Sequence, residues 1–146
     1  KIGILGFSFK ANTNDTRESS AISICKDLLE EGAFLNIHDP RVESKQIELD
    51  LNLKQHDFIN SQRIYENNSE EGVWTFSETI YGVFESADAV IILTEWHEYS
   101  LIKWKDVSSK MRKPSWIFDT RSVINPLKFK GTDLNLWRIG DGSLTN

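Results

Sequence analysis

The sequence predicts an α/β fold, a doubly wound and mainly parallel sheet with helices on both faces, and three observations carry that expectation. Apolar strands alternate with amphipathic segments of helical period, as parallel strand–helix–strand crossovers require. Ala89-Val90-Ile91-Ile92-Leu93 is an unbroken apolar run, the pattern of a strand buried on both faces of a parallel sheet. A short strand, Ile2-Gly3-Ile4-Leu5-Gly6, opens the chain, ends on glycine and runs through a polar loop into a helix.

That first helix is expected over residues 19–31, where Ile22, Ile24, Cys25, Leu28 and Leu29 form a stripe and Gly32 supplies the stop. Phe34-Leu35-Asn36-Ile37-His38 reads as the second strand, halted by Asp39-Pro40 because proline donates no ladder hydrogen bond and restricts its predecessor. Strand, helix, strand favours a right-handed crossover. Residues 41–72 are polar, with a helix over 43–51 and then a surface excursion ending in Asn67-Asn68-Ser69-Glu70-Glu71-Gly72. Residues 75–86 suit a short helix through Ile80, Val83 and Phe84, with Ser77 as its cap. After the central apolar run, Thr94-Glu95-Trp96-His97-Glu98-Tyr99 leaves as a loop, and a helix follows over 101–111 until Lys113-Pro114 breaks it. Trp116-Ile117-Phe118 is a further buried strand ending at Asp119-Thr120-Arg121, and Leu136-Trp137-Arg138-Ile139 is the last, closing on Gly140. Five strands alternating with helices make the expected fold Rossmann-like.

The 146 residues form a single domain, 1–146, long enough to bury about two thirds of the unfolded surface. A net charge of −5 offers no basic field for nucleic acid, so a local cluster of cations stands out. No apolar run approaches the roughly 20 residues that cross a bilayer, and no signal-peptide pattern is present. Cys25 has no cysteine partner in the chain, which fits a reducing, cytoplasmic compartment. The chain opens on Lys1, at the edge of a strand, and its methionine is Met111, so it is expected to be part of a longer polypeptide.

In open α/β sheets ligands bind beyond the carboxyl ends of the strands, near the point where strand order reverses. The candidate site is therefore Phe9-Lys10 and Asp15-Thr16-Arg17 after the first strand, Asp39-Pro40 after the second, Thr94-Glu95-Trp96 after the central run and Asp119-Thr120-Arg121 after the next. Lys10, Arg17 and Arg121 are cations at one edge of an acidic chain, a convergence that suits a pyrophosphate. The dinucleotide fingerprint G-x-G-x-x-G is absent: from Gly6 it needs glycines where Ser8 and Ala11 stand, and from Gly3 one where Leu5 stands. The first turn is thus not expected to cradle NAD, and phosphate contact passes to side chains.

Gly6-Phe7-Ser8-Phe9-Lys10 with Asp15-Thr16-Arg17-Glu18-Ser19-Ser20 resembles the G-x-x-F-K, then D-T-R-E-S-S, signature that opens the C-terminal domain of the UDP-glucose 6-dehydrogenases. His38-Asp39-Pro40-Arg41-Val42, Thr94-Glu95-Trp96 and Phe118-Asp119-Thr120-Arg121 follow in that family's order, resembling its Y-D-P-K-V, T-E-W and F-D-G-R blocks. The resemblance spans nearly the whole chain, and its D-T-R-E-S-S wording points to the UDP-glucose branch of the wider UDP-glucose/GDP-mannose dehydrogenase family.

The resemblance implies an NAD-dependent enzyme that oxidises UDP-glucose to UDP-glucuronate and works as a homo-oligomer. An N-terminal Rossmann domain, absent from this chain, would hold NAD and the catalytic cysteine, and a central helix would link it to a UDP-sugar-binding C-terminal domain. It further implies that Phe9 and Lys10 contact the nucleotide sugar, that Arg121 reaches the UDP-sugar and that Arg17 faces NAD across the domain cleft. Departures are Ala11 and Asn12 where the family often has lysine and aspartate, Thr120 for glycine and Ser122 for a common second arginine. Thr120 restricts a backbone that glycine leaves free.

Other roles stand beside these. Cys25 lies on the apolar stripe of the first helix, as a structural cysteine does, so no catalytic residue is assigned and the chain alone is not expected to turn over. Asp15 lies near the helix N-cap with Glu18 in the first turn, and Arg17 is a surface partner for Glu18 or Glu95. Asp39 mimics a ribose-binding acid but lies beyond the usual spacing of about 20 residues and precedes proline, so a turn role is favoured. His38, His56 and His97 lack metal-site spacing. Trp96 is the tryptophan expected nearest the cleft. The alternative function is a stand-alone module with this fold, binding a nucleotide sugar or serving protein interaction without the ligand; direct NAD binding ranks third.

Overall fold

The computed structural model describes residues 1–57, 59 and 72–144. The predicted surface excursion falls mostly outside them. Strands β1 (Ile2–Leu5), β2 (Phe34–His38), β3 (Val73–Phe76), β4 (Ala89–Ile92), β5 (Ser115–Asp119), β6 (Leu134–Arg138) and β7 (Gly142–Leu144) alternate with helices α1 (Ser20–Glu30), α2 (Ser44–Leu51) and α3 (Trp104–Ser108). Short 3₁₀ turns occupy Ile80–Phe84, His97–Leu101 and Pro126–Phe129.

The strands form one seven-stranded sheet of order β3-β2-β1-β4-β5-β6-β7. β1 to β6 run parallel and β7 returns antiparallel to β6. The order reverses between β1 and β4, so the predicted doubly wound class is the observed one. Alternation along the parallel strands feeds two cores. Ile4, Leu35, Ile37 and Trp74 pack with Cys25 and Leu29 of α1 and Ile47 and Leu51 of α2 on one face. Leu5, Val90, Ile92, Ile117 and Leu136 pack with Phe84, Tyr99, Trp104, Val107 and Phe129 on the other. Gly3 is required by packing: a Cβ there would lie 2.6 Å from the Val83 carbonyl oxygen, so the 80–84 turn lies directly against β1.

α1 starts one residue later than expected. Its cap is Ser19, whose Oγ accepts from the Ala21 N–H at 3.3 Å and donates to the Phe7 carbonyl at 2.8 Å, tying the helix start to the β1 loop. Glu18 lies outside the helix in the left-handed region at φ 62°, and Asp15 is farther out still; neither contributes the expected first-turn charge. The 75–86 helix is also corrected. Val73–Phe76 is a strand paired with β2, and only Ile80–Phe84 is helical, as a 3₁₀ turn capped by Thr79, while Ser77 Oγ donates to the Thr79 carbonyl. The aromatic and β-branched run Val73-Trp74-Thr75-Phe76 prefers a pleated surface, and its pairing outweighs the helical spacing beyond it. The 101–111 helix contracts to α3 because Ile102 and Lys103 are extended, with ψ of 132° and 91°.

Candidate functional site

The exits of β1, β4 and β5 meet at the carboxyl edge of the sheet, and buried acceptors fix their loops. Asp39, 4% exposed, accepts from the N–H groups of Phe7 (2.7 Å) and Ser8 (3.0 Å) with Oδ2 and from those of Arg41 (2.8 Å) and Val42 (2.9 Å) with Oδ1; Trp96 Nε1 also donates to Oδ2 at 3.2 Å. A carboxylate so occupied has no lone pair to spare for a ribose hydroxyl. Its expected turn role therefore holds, and it extends to clamping two other loops. Asp119, fully buried, acts likewise after β5, accepting from the N–H groups of Arg121 and Val123 at 3.1 Å and Ile124 at 2.8 Å. Thr94, also fully buried, donates from Oγ1 to the Ser8 carbonyl at 2.8 Å. Gly6 lies against it at φ +94°, where a Cβ would fall 2.4 Å from Thr94 Cβ.

On this frame the predicted residues are unevenly engaged. Phe9 is 48% exposed and its N–H donates to the Asp15 carbonyl at 2.8 Å, closing the polar loop on itself. Arg121 reaches Phe9 across the sheet edge: Nη2 lies 3.4 Å from the Phe9 carbonyl oxygen while Nε donates to Glu95 Oε2 at 2.9 Å. Glu95 Oε1 accepts from the Ala11 N–H at 3.4 Å, so one carboxylate joins the β1 loop to the β5 loop. Partial burial of Glu95 raises its pKa, but the N–H groups of Glu95 and Ala11 and the Arg121 charge outweigh this and hold it below the usual carboxylate range. Lys10 is exposed on the same loop.

Arg17 is not drawn into this group. Its guanidinium grips Asp15 in a two-point pair, Nε to Oδ1 at 3.0 Å and Nη2 to Oδ2 at 2.7 Å, with 88% of its side chain exposed. A surface pair was the alternative to the NAD-facing role, and its partner here is Asp15, two residues away, and neither Glu18 nor Glu95. Hydrogen bonds from the Arg17 side chain and then its N–H lower Asp15 to about 2. Trp96 lies under the site, 3% exposed, as a clamp on Asp39. Cys25 is fully buried, and desolvation pushes its thiol up to about 12, so it supplies no nucleophile. Among the described residues no cluster suits a metal. A separate cleft of about 550 Å³ beyond β2 and β3, walled by Pro40, Arg41, Lys45 and Phe76, includes none of Phe9, Lys10, Arg17 or Arg121.

The roles of Thr94, Asp119 and Glu95 were not assigned from sequence. Their signal was the recurrence of polar residues directly after buried strands.

A doubly wound sheet that presents an aromatic ring and cations from the ends of β1 and β5, without the glycine turn of the dinucleotide fingerprint, defines a Rossmann-like domain. Residues 3–126 match the UDP-glucose/GDP-mannose dehydrogenase family, UDP binding domain, and the chain belongs to that family. It is 37% identical over 142 residues to UDP-glucose 6-dehydrogenase 4 of Arabidopsis thaliana, covering 96% of this chain and 29% of that protein. It is 42% identical over 127 residues to the UDP-glucose 6-dehydrogenase of Gallus gallus, covering 87% of this chain and 24% of that one. Among solved structures it resembles the NDP-N-acetyl-D-galactosaminuronic acid dehydrogenase from Methanosarcina mazei Go1, with a TM-score of 0.63 and 26% identity over 95% of this chain and 24% of that chain. The chain spans less than a third of the length of these relatives.

Proposed function

We propose that this chain is the UDP-sugar-binding domain of an NAD-dependent UDP-glucose 6-dehydrogenase, with Phe9, Lys10 and Arg121 on the nucleotide sugar and Arg17 toward NAD. The observation that carries this is the meeting of Arg121 and Phe9, 112 positions apart in sequence, at the edge where the sheet order reverses. An arginine fork and a free lysine beside an exposed ring match a pyrophosphate carrying a flat base. Against a dinucleotide in the β1 crevice of this domain stand Ser8, where the fingerprint needs the glycine that lets backbone approach a pyrophosphate, and the full engagement of Asp39. NAD and the nucleophilic cysteine are therefore assigned to the N-terminal domain of a longer polypeptide. The whole enzyme is taken to be a cytoplasmic homo-oligomer.

The test is NMR titration of the chain with UDP. Saturable shifts at Phe9 and Ala11 amides in the millimolar range, weakened by Lys10→Ala and by Arg121→Ala, are the expected result. Absence of binding at those concentrations favours an interaction module that has kept the fold without the ligand.

A further inference from the structure

We propose that Glu95 is a positioning residue of this site, holding Arg121 by its Nε edge so that the rest of the guanidinium faces an incoming phosphate. The inference rests on the UDP-binding reading above. Arginine carries its donors on a rigid planar fork. Here the Nε–H is taken by Glu95 Oε2 at 2.9 Å and one Nη2 hydrogen points to the Phe9 carbonyl at 3.4 Å. Both Nη1 hydrogens and the second Nη2 hydrogen remain, enough for a two-point contact with a phosphate. Glu95 Oε1 meanwhile holds the Ala11 N–H at 3.4 Å, so the same carboxylate fixes the spacing between Arg121 and the loop bearing Phe9 and Lys10.

The opposing view makes Glu95 a competing anion that phosphate must displace. Geometry speaks against it: Glu95 occupies the Nε edge and the β1-loop amide and leaves the Nη face free. The pair is also exposed, 36% at Arg121 and 43% at Glu95, so water screens its repulsion toward a ligand. What the contact supplies is order in a long side chain that would otherwise sample many rotamers.

UDP titrations of the whole chain and its variants decide the matter. Glu95→Ala should raise the Kd for UDP about three- to tenfold, the range for ordering one rotamer-rich side chain. Glu95→Gln, whose amide oxygen still accepts from Nε–H, should recover most of the affinity, and Glu95→Ala added to Arg121→Ala should cost nothing further. The thermal midpoint should stay within about 3 °C, because exposed ion pairs contribute little to stability. Equal or tighter UDP binding by Glu95→Ala overturns the proposal while leaving the binding reading intact, and so does a Gln variant no better than Ala. If Arg121→Ala binds UDP as well as the unsubstituted chain, the binding reading fails and the proposal falls with it.

Discussion

Replacing Asp39 with alanine tests whether the site is held by its frame. The carboxylate accepts from four buried donors, the N–H groups of Phe7, Ser8 and Val42 and the Trp96 indole, and from the less buried Arg41 N–H. Alanine removes the acceptor and leaves the donors in place. Each buried unpaired N–H costs about 1 kcal/mol or more, so the four together predict a loss of about 4 kcal/mol. That is large for a single substitution, and it corresponds to a fall in Tm of roughly 12 °C for a chain of this size. Urea unfolding followed by tryptophan fluorescence should show a lowered midpoint at unchanged m, with UDP affinity falling as well because the β1 loop loses its clamp. Asp39→Asn should fall between the two, since its oxygen can replace one acceptor while its amide N–H groups oppose the donors. A loss below about 1 kcal/mol for Asp39→Ala would refute the reasoning, because the donors must then have found other partners.

Gly6→Ala should destabilise by about 3 kcal/mol in the same assay, combining left-handed strain with overpacking against Thr94; a loss under about 1 kcal/mol would contradict the close approach. Cys25, held near 12 by burial, should resist iodoacetamide at pH 8 in the folded chain and react once urea unfolds it; rapid labelling without denaturant would show the thiol to be accessible. Burial lowers the pKa of His38 below its ordinary 6.5, partly offset by the Asp39 and Glu98 charges. The unfolded chain therefore takes up this proton first on acidification: stability is full above about pH 6.5 and is lost as pH falls through the folded midpoint. His38→Gln should flatten that slope between pH 7.5 and 5.5, and an NMR midpoint for His38 above 6.5 would overturn the assignment.

The sheet was legible where local pattern and long-range pairing agree. The continuous apolar run at 89–93 announces a strand buried on both faces, the short apolar segments at 2–5 and 34–38 announce its neighbours, and Gly32 after an apolar stripe announces a helix end. β3 escaped because four residues at the sheet edge give little period, and only pairing with β2 settles their state. The site was legible as positions and less so as partnerships. Arg121, Lys10 and Phe9 followed from lying at strand ends. Their surroundings depend on contacts that local spacing does not encode: Asp39 meets Trp96 across 57 positions and Glu95 meets Arg121 across 26. Arg17 shows the opposite case. Its partner was close in sequence, at Asp15, yet a turn with Glu18 in the left-handed region selected it over the nearer carboxylate.

The contact between Thr94 and Gly6 bears on how such a surface gains affinity. In sheets that use a glycine turn, the rigid main chain is itself the receptor and comes already shaped. Here that turn is packed against buried Thr94 and Ser8 stands at the second glycine position, so on the proposed reading an anion is held by the long flexible arms of Lys10 and Arg121. Selectivity then depends on whatever stills those arms. A second wall closing over Lys10 and Arg121 could set the strength of binding without touching the ligand, and substitutions in that wall would register as changes in affinity at a distance.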